Sequence, residues 1–440
     1  MTKLPGVVLA LGAGAFALGL AVSPVHADAN TVSKSILLQD KGGEKESEPN
    51  PGALRKQALE GAWGYLKTMY NKPAPREDRA QIKAGWGPKS MNTPYTALVL
   101  QALHGTEVWS DDEAMFKDSV NWLVESQEAG GDWSFMPGVP QAKGMYAVYV
   151  TGIVAGLMAE LNTDGAWKGK LNDNIAKARD YLKQAQVGNP EGAAKDYEEG
   201  KPGYGGWAYS KEEIGQGKKP ASNMSTSSFA IDALHACGVK EDDEMWQRAL
   251  KFLKRNQNAG EVQDEGWQAT DSKGRKVKPA AKDSPDYGGA SYAEGSSSGE
   301  EENEDGTVTF FSYGTMTYNL LRAYLFAGLE KDSETVKLAM GCIQRNYTVE
   351  RVPGLRDEKD YEKGLYYYYM SMGKTLNALG EDSVEEPERG LKHDWRKDLV
   401  NALKSRQAED GSWVNSNSDY QENSPVLCTA YALEALRNTK

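Results

Sequence analysis

A short motif recurs along this chain and constrains its fold more than any other feature. Residues 127–133 and residues 407–413 both read Gln, three residues, Gly, one residue and Trp. Less complete copies begin at Tyr65, Tyr181, Phe252 and Cys342. Six copies spaced several tens of residues apart are typical of an array in which each repeat forms one structural unit.

The incomplete copies keep only part of the motif. Gln186 is followed, after an insertion, by Trp207, and we assign Gln257 to Gly266 and Trp267. Two copies replace Gln with Tyr and are the most altered: Tyr70 with Gly85 and Trp86, and Tyr347 with Gly354 and Leu355.

Each motif lies between two helical patterns of different character. Before the fourth copy, Trp246, Ala249, Leu250 and Leu253 recur at helical spacing with polar residues between them, which predicts an amphipathic helix. The segment after each motif is more apolar, as in a helix buried on every side. The six predicted second helices cover residues 93–104, 146–161, 225–237, 313–329, 366–379 and 425–436.

Alternating amphipathic and buried helices predict an all-α protein in which an outer layer of helices surrounds an inner one. Six helix pairs could also stack into an open solenoid. A closed ring is favoured, because an open array would expose the apolar helices of its two end repeats.

The motif resembles the QW repeat of squalene–hopene cyclases, oxidosqualene cyclases and related proteins. The second helices are similar to those of protein prenyltransferase β-subunits. The resemblance covers about residues 53–440 and implies an (α/α)6 toroid in which each Gln and Trp tie neighbouring repeats together. A Gln amide can satisfy backbone groups at helix ends while a Trp packs against it. We therefore interpret Gln127, Trp133, Gln407 and Trp413 as structural.

The residues that make these relatives enzymes are missing from the sequence. The cyclases imply an Asp-x-Asp-Asp acid, but the nearest strings, residues 111–113 and 242–244, are expected to face water at helix starts. The prenyltransferases imply zinc held by Asp, Cys and His, yet Cys342 and Cys428 have no acidic residue two positions before them. A thioester relative would show Cys-Gly-Glu-Gln, which does not occur. We predict no cofactor and no metal.

What remains is the end of the ring at which the inner helices begin. Parallel inner helices would bring their N-termini to one mouth. Capping explains the Asn, Ser, Thr and Pro residues there, but not the repeated Tyr. Tyrosines around a cavity suit an amphipathic or carbohydrate ligand, although Tyr is also an ordinary packing residue. The candidate ligand-binding residues are Asn92, Tyr95, Tyr146, Ser225, Tyr313, Tyr366, Tyr367 and Ser424.

The N-terminus predicts export to the periplasm or the medium. Lys3 precedes an apolar run over residues 6–22, and residues 25–27 suit a signal peptidase. We assign residues 1–27 to a signal peptide, with a membrane anchor as the alternative, and residues 28–52 to a flexible tail. No transmembrane segment is expected in the mature chain. Acidic residues outnumber basic ones, 63 to 51, which argues against nucleic acid as a partner.

Two insertions interrupt the repeats, at about residues 188–203 and 268–308. Their composition is typical of solvated, flexible segments, and residues 300–305 lack the ligand spacing of a Ca²⁺ loop. The chain has three cysteines, Cys237, Cys342 and Cys428, which are too few for a disulfide framework. A single disulfide between two of them remains an alternative that the sequence does not decide.

Two functions fit these observations. The first is an exported, non-catalytic binding or scaffold toroid for an amphipathic, carbohydrate or protein ligand. The second is an enzyme on the same frame, either terpene cyclase-like with displaced acids or a polysaccharide-degrading (α/α)6 enzyme, which would need paired carboxylates across the cavity. The missing acid cluster and zinc ligands favour the first.

Overall fold

The computed structural model describes residues 50–72, 83–137, 139, 144–211 and 222–440. The predicted signal peptide and residues 28–49 of the predicted tail lie outside the described residues. Across the described part, the chain is mostly helical, with twelve α-helices and two short two-stranded sheets. No helix in these ranges is long and apolar enough to cross a membrane.

The helices alternate between two kinds, as the sequence predicts. The first helix of each pair has one polar face: α1 (Pro51–Met69), α3 (Ala114–Glu125), α5 (Asn172–Ala185), α7 (Glu244–Asn256), α9 (Glu334–Arg345) and α11 (Trp395–Arg406). The second is mostly buried: α2 (Asn92–Leu103), α4 (Ala147–Leu161), α6 (Met224–Ala236), α8 (Gly314–Phe326), α10 (Leu365–Leu379) and α12 (Pro425–Arg437).

The six buried helices contact one another in cyclic order. Helix α2 packs against α4, α4 against α6, α6 against α8, α8 against α10, α10 against α12, and α12 against α2. The first turns of α6 and α10 meet through Ser225 and Tyr367. Near the opposite ends, the Arg437 guanidinium of α12 donates to the Gln101 carbonyl of α2. These contacts show that α6 runs parallel to α10 and that α12 runs parallel to α2, an arrangement compatible with an all-α toroid.

The amphipathic helices lie against this ring with their apolar faces. Helix α3 packs on α2, α5 on α4 and α6, α7 and α9 on α8, and α11 on α10 and α12. Helix α1 packs on α11 and α12, so the two ends of the repeat array meet. One hydrophobic cluster extends through both layers.

Each Gln of the repeated motif joins two neighbouring repeats. The Gln127 amide donates to the Gly131 carbonyl of its own turn and to the Asn174 carbonyl at the start of the next amphipathic helix. The equivalent pairs of acceptors are Gly205 and Met245 for Gln186, Gly288 and Thr335 for Gln257, and Gly411 and Ala58 for Gln407. The structural interpretation of Gln127 and Gln407 therefore agrees with their contacts.

The motif tryptophans connect the two helices of a pair through hydrogen bonds. Trp133 is fully buried, its indole N–H donates to the Leu123 carbonyl, and its backbone N–H donates to the Thr151 hydroxyl. The same two bonds link Trp86 to Leu66 and Thr96, Trp207 to Leu182 and Ser227, and Trp413 to Leu403 and Thr429. Each Trp thus connects the end of one helix to the first turns of the next.

The sequence assignment of the fourth copy is wrong. Gln257 donates to the carbonyl of Gly288, not to Gly266, and Trp267 is only half-buried. Ala290 stands where the other copies have Trp, because its backbone N–H donates to the Thr317 hydroxyl. The intervening residues belong to the insertion, which therefore begins before residue 268.

The insertion is packed rather than flexible. Strand β1 (Glu300–Glu302) pairs with β2 (Val308–Phe310), and Arg275 makes ion pairs with Asp271 and Glu300. The aromatic ring of Tyr287 is buried in the same segment. A second hairpin, β3 (Val384–Glu386) with β4 (Leu391–His393), precedes α11. The segment 188–203 also packs, with Ala194 and Tyr197 against Val187.

Candidate functional site

A chain of polar side chains crosses the interior of the helical ring. The Tyr367 hydroxyl lies 3.1 Å from the Ser225 hydroxyl and accepts from the Asn319 amide at 3.2 Å. The Arg322 guanidinium then donates to Asn319 at 3.0 Å and to Asp232 at 2.9 Å. Helices α6, α8 and α10 therefore contact one another through these side chains. Helix α12 joins them through Tyr431, whose ring lies 5.6 Å from that of Tyr367. At this level, side chains from four of the six inner helices fill the centre of the ring.

The charged end of this chain is fully paired. Asp232 receives Arg322 on one carboxyl oxygen and the Lys374 ammonium on the other, at 3.0 Å. Burial alone would raise the pKa of Asp232, but the two cations outweigh it and lower that pKa. Asp232 of α6 is therefore held as a carboxylate by Arg322 of α8 and Lys374 of α10.

Aromatic rings continue the cluster toward the start of the inner helices. Tyr149 meets Phe229 edge to face at 5.1 Å, and Phe229 stacks on Tyr367 at 6.2 Å. Burial raises the pKa values of Tyr149 and Tyr431 well above the ordinary value. These hydroxyls stay protonated and act as hydrogen-bond donors and acceptors.

The predicted mouth residues lie at the end of the ring where the inner helices begin, which we call the tyrosine end, but most of them are buried. The Tyr95 hydroxyl donates to the Gln421 side chain at 3.2 Å, and Tyr313 and Tyr366 are equally enclosed. The Asn92 amide donates to the Trp86 carbonyl at 2.9 Å, so Asn92 orients the motif Trp. Ser424, half-buried, accepts the backbone N–H of Cys428 through its carbonyl at 3.1 Å.

The structure brings the predicted residues into two groups. Ser225 and Tyr367 are in direct contact, and Tyr313 lies beside the loop that leads into α12. Tyr146 instead packs edge to face against Phe135 and Tyr209. The two groups are connected by the aromatic cluster, since Tyr209 also contacts Tyr149 at 6.0 Å.

The backbone at the tyrosine end is strained at aromatic residues. Tyr146 (φ 54°) and Tyr420 (φ 55°) both adopt the left-handed conformation, which bulky side chains rarely occupy. Gln421 (φ 65°) does so as well. Tyr146 directly precedes α4, and the other two lie in the loop that leads into α12.

The same end carries exposed apolar side chains. Met145 is 49% exposed and Tyr420 is 42% exposed, and Val414 is also exposed. The ring of Tyr420 lies next to the Tyr313 hydroxyl at Gly364, and the Lys363 ammonium is 5.7 Å from its centroid. An exposed aromatic ring thus adjoins a hydroxyl group and a cation.

Sequence reasoning missed Tyr420 and Glu422. Both lie in the loop before α12. The sequence indicates that loop only through its polar composition, with Ser, Asp, Tyr, Gln and Glu before a capping Ser-Pro. Glu422 is fully buried, and its carboxylate accepts from the backbone N–H of Tyr367 at 2.8 Å and from Asn415 at 2.7 Å. Burial raises its pKa to about 7 although these bonds oppose the change.

Three buried acids of the inner ring are held by structural partners. Both oxygens of Glu422 cap the N-terminus of α10, and both oxygens of Asp232 are ion-paired. Glu434 contacts Arg437 and Asn438 through its two oxygens. The paired free carboxylates that the enzyme alternative requires are therefore not supplied by these three residues.

The other candidate chemistries also find structural roles. Asp243 caps α7 by accepting the Met245 backbone N–H at 3.0 Å, as expected of an acid at a helix start. Burial raises the pKa of Cys237 and of Cys342 to about 12, which keeps both thiols protonated. All three cysteines are free. Among the described residues, no group of three or more His, Cys, Asp or Glu could hold a metal ion.

Comparison with solved structures finds chains of similar length. The apo structure of the type II terpene cyclase MstE from Scytonema is 11% identical, with 88% of this chain and 98% of that chain covered, at a TM-score of 0.43. Two structures of MstE variants in complex with geranylgeranyl dihydroxybenzoate are 12% identical with the same coverage, at TM-scores of 0.43 and 0.44. No family model and no curated protein matches this chain.

Proposed function

We propose that the chain from about residue 53 is an (α/α)6 toroid of six helix-pair repeats that binds a carbohydrate at its tyrosine end without transforming it. The observation that carries this proposal is Tyr420, whose ring is 42% exposed on a left-handed backbone. An exposed ring contributes little to the core, and strain of this kind is commonly retained where it serves binding.

The surroundings of Tyr420 suit a sugar. An aromatic ring can stack on the apolar face of a pyranose, while hydroxyl and ammonium groups bond its edges. The Lys363 ammonium, which also pairs with Asp419 at 2.8 Å, supplies such a group beside the ring. Met145 adds apolar surface at the same end of the ring.

The hydrogen-bond and ion-pair partners of the buried acids support a binding function rather than catalysis. Glycoside hydrolysis needs one carboxyl group that can give up a proton and a second carboxylate across the substrate. The Glu422 carboxylate instead accepts hydrogen bonds at the N-terminus of α10. The Asp232 carboxylate is paired with Arg322 and Lys374.

Export is part of the same proposal. The N-terminal sequence supports a signal peptide over residues 1–27, and an extracytoplasmic protein meets polysaccharides directly. N-terminal sequencing of protein recovered from the producing cell tests this point. A mature chain that begins at Asp28 is expected, and an uncleaved Met1 would contradict it.

Calorimetric titration with soluble cello-, xylo-, malto- and chito-oligosaccharides tests the binding function. At least one is expected to bind the wild type, and Tyr420→Ala should weaken it by roughly tenfold or more. Leu391→Ala is the matched control, because Leu391 is 40% exposed on the β3–β4 hairpin. Equal affinity of all three proteins, or no binding, would overturn the proposal. Release of shorter sugars would favour the enzyme alternative.

A further inference from the structure

A cavity of about 420 Å³ lies between the C-terminal end of α7 and the insertion, and none of the eight candidate mouth residues lines it. Its walls include Asn256, Trp267, Glu294 and Phe310. Polar and apolar groups thus face the same space.

Two hydrogen-bond acceptors in this wall have no partner within the described part of the chain. Glu294 is 6% exposed, and one carboxyl oxygen accepts the Gly203 backbone N–H at 2.6 Å, while Oε1 accepts no hydrogen bond from any described residue. Asn256 is 1% exposed, and its Nδ2 donates to the Phe252 carbonyl at 2.8 Å, which fixes the amide and leaves Oδ1 unbonded. A buried acceptor without a partner destabilises the folded state. A ligand that brings donors would recover this free energy.

Among the residues that the structure describes, no cation forms an ion pair with Glu294. The Arg255 guanidinium pairs with Asp264, with Nη2 at 2.7 Å and Nε at 2.9 Å, and its central carbon lies 4.0 Å from the centroid of the Trp267 ring. The Lys278 ammonium pairs with Asp305 at 3.7 Å. The missing component is therefore a positively charged donor rather than an anion.

We propose that this cavity binds the primary ammonium group of an alkylamine, which donates to Glu294 Oε1 and Asn256 Oδ1 while its alkyl chain lies against Trp267 and Phe310. An ammonium has three N–H donors and no acceptor, which matches two unpaired acceptors. A free diamine, a lysine side chain and an amino sugar all present this group.

The electrostatics of Glu294 add a pH dependence. Burial is the largest effect on the pKa of Glu294 and raises it to about 7. The charge of Arg255 lowers this pKa, and the charge of Asp264 raises it. The Glu294 charge in turn raises the pKa of the Tyr197 hydroxyl. Ammonium binding should therefore strengthen between about pH 6 and pH 8, as Glu294 loses its proton.

Titration of the full chain with putrescine, and with butanediol as its uncharged analogue, tests the site. We expect putrescine to bind and butanediol to bind at least about tenfold more weakly. Glu294→Gln should reduce putrescine affinity by a similar factor and remove its pH dependence. Glu265→Gln, which changes an exposed acid on the same rim, should bind as the wild type does.

The outcomes separate the possible occupants. Parallel titrations with Nα-acetyl-lysine amide and glucosamine identify which amine source fits best. Equal binding of butanediol and putrescine would replace the proposal with a neutral polyol site, and no binding of either would mean that water fills the cavity. If Glu294→Gln does not fold, the comparison of the two ligands on the wild type still decides. None of these results depends on Tyr420.

Discussion

The side-chain amide of Gln407 donates to the backbone carbonyl of Ala58 at 3.0 Å, across 349 residues of chain. Gln407 follows the last amphipathic helix, and Ala58 lies in the first. The same amide donates to the Gly411 carbonyl of its own turn. The bond that joins consecutive repeats elsewhere thus also joins the last repeat to the first.

Gln407→Ala removes both bonds and leaves the Ala58 carbonyl without this partner. The free energy of unfolding should fall by about 1–3 kcal/mol, as measured by urea titration. The matched control is Gln57→Ala, which changes an exposed amide on α1 and should cost less than about 0.5 kcal/mol. Equal stability of the two variants would show that the closing contact contributes nothing.

Two glycines distinguish the observed fourth motif from the one assigned from sequence. Gly288 (φ 83°) leaves no room for a Cβ, which would lie 2.3 Å from the Leu338 carbonyl oxygen of α9, whereas Gly266 (φ 75°) has nothing within 4 Å. Gly266→Ala should therefore cost only the backbone strain, about 1–2 kcal/mol. Gly288→Ala adds a backbone clash and should cost roughly 4 kcal/mol or more. If thermal or urea unfolding showed a larger loss of stability for Gly266→Ala than for Gly288→Ala, Gly266 would be the glycine of the fourth motif.

The sequence is sufficient to locate the helices and to recognise the bonding role of the motif Gln. The predicted second helices agree with the observed ones within about three residues, because apolar periodicity reports burial directly. The fourth motif could not be placed in this way. Its Gly is defined by close contact with α9, and that tertiary contact overrides the nearer Gly-Trp pair.

The candidate site was only partly predictable for a related reason. Helix-start positions predict that these residues share one end of the ring, but they could not separate Tyr313, which is buried, from Tyr420, which is exposed. That difference depends on a left-handed backbone at Tyr420, for which a tyrosine gives no local signal. The polar chain through Arg322 was equally hidden, since its partners come from different repeats.

Arg322 is expected to be the most sensitive charged residue inside the ring. Arg322→Met would leave Asp232 with Lys374 alone and would free the Asn319 carbonyl oxygen. Removing one partner of a buried ion pair costs about 3–5 kcal/mol, so the melting temperature should fall sharply. Arg179→Met, which breaks an exposed pair with Asp180, should cost less than about 1 kcal/mol. Similar losses in the two variants would contradict a stabilising role for the interior network.

Glu294 should make the folded state less stable as the pH rises toward neutrality. Its pKa is about 7 in the folded protein because of burial and 4.5 as the ordinary value, so between these limits the folded state holds a proton that the unfolded state has lost. Raising the pH through this window therefore favours unfolding, by up to about 3 kcal/mol at roughly 1.4 kcal/mol per pKa unit. Glu294→Gln removes the titrating group and should be spared this loss, so the stability difference between variant and wild type should grow from about pH 4.5 to about pH 7 and then level off. Urea titrations of both proteins at several pH values measure that difference, and a constant value across the window would show that Glu294 titrates normally. Because no ligand is added, this experiment reads the buried carboxyl itself, independently of what the cavity binds.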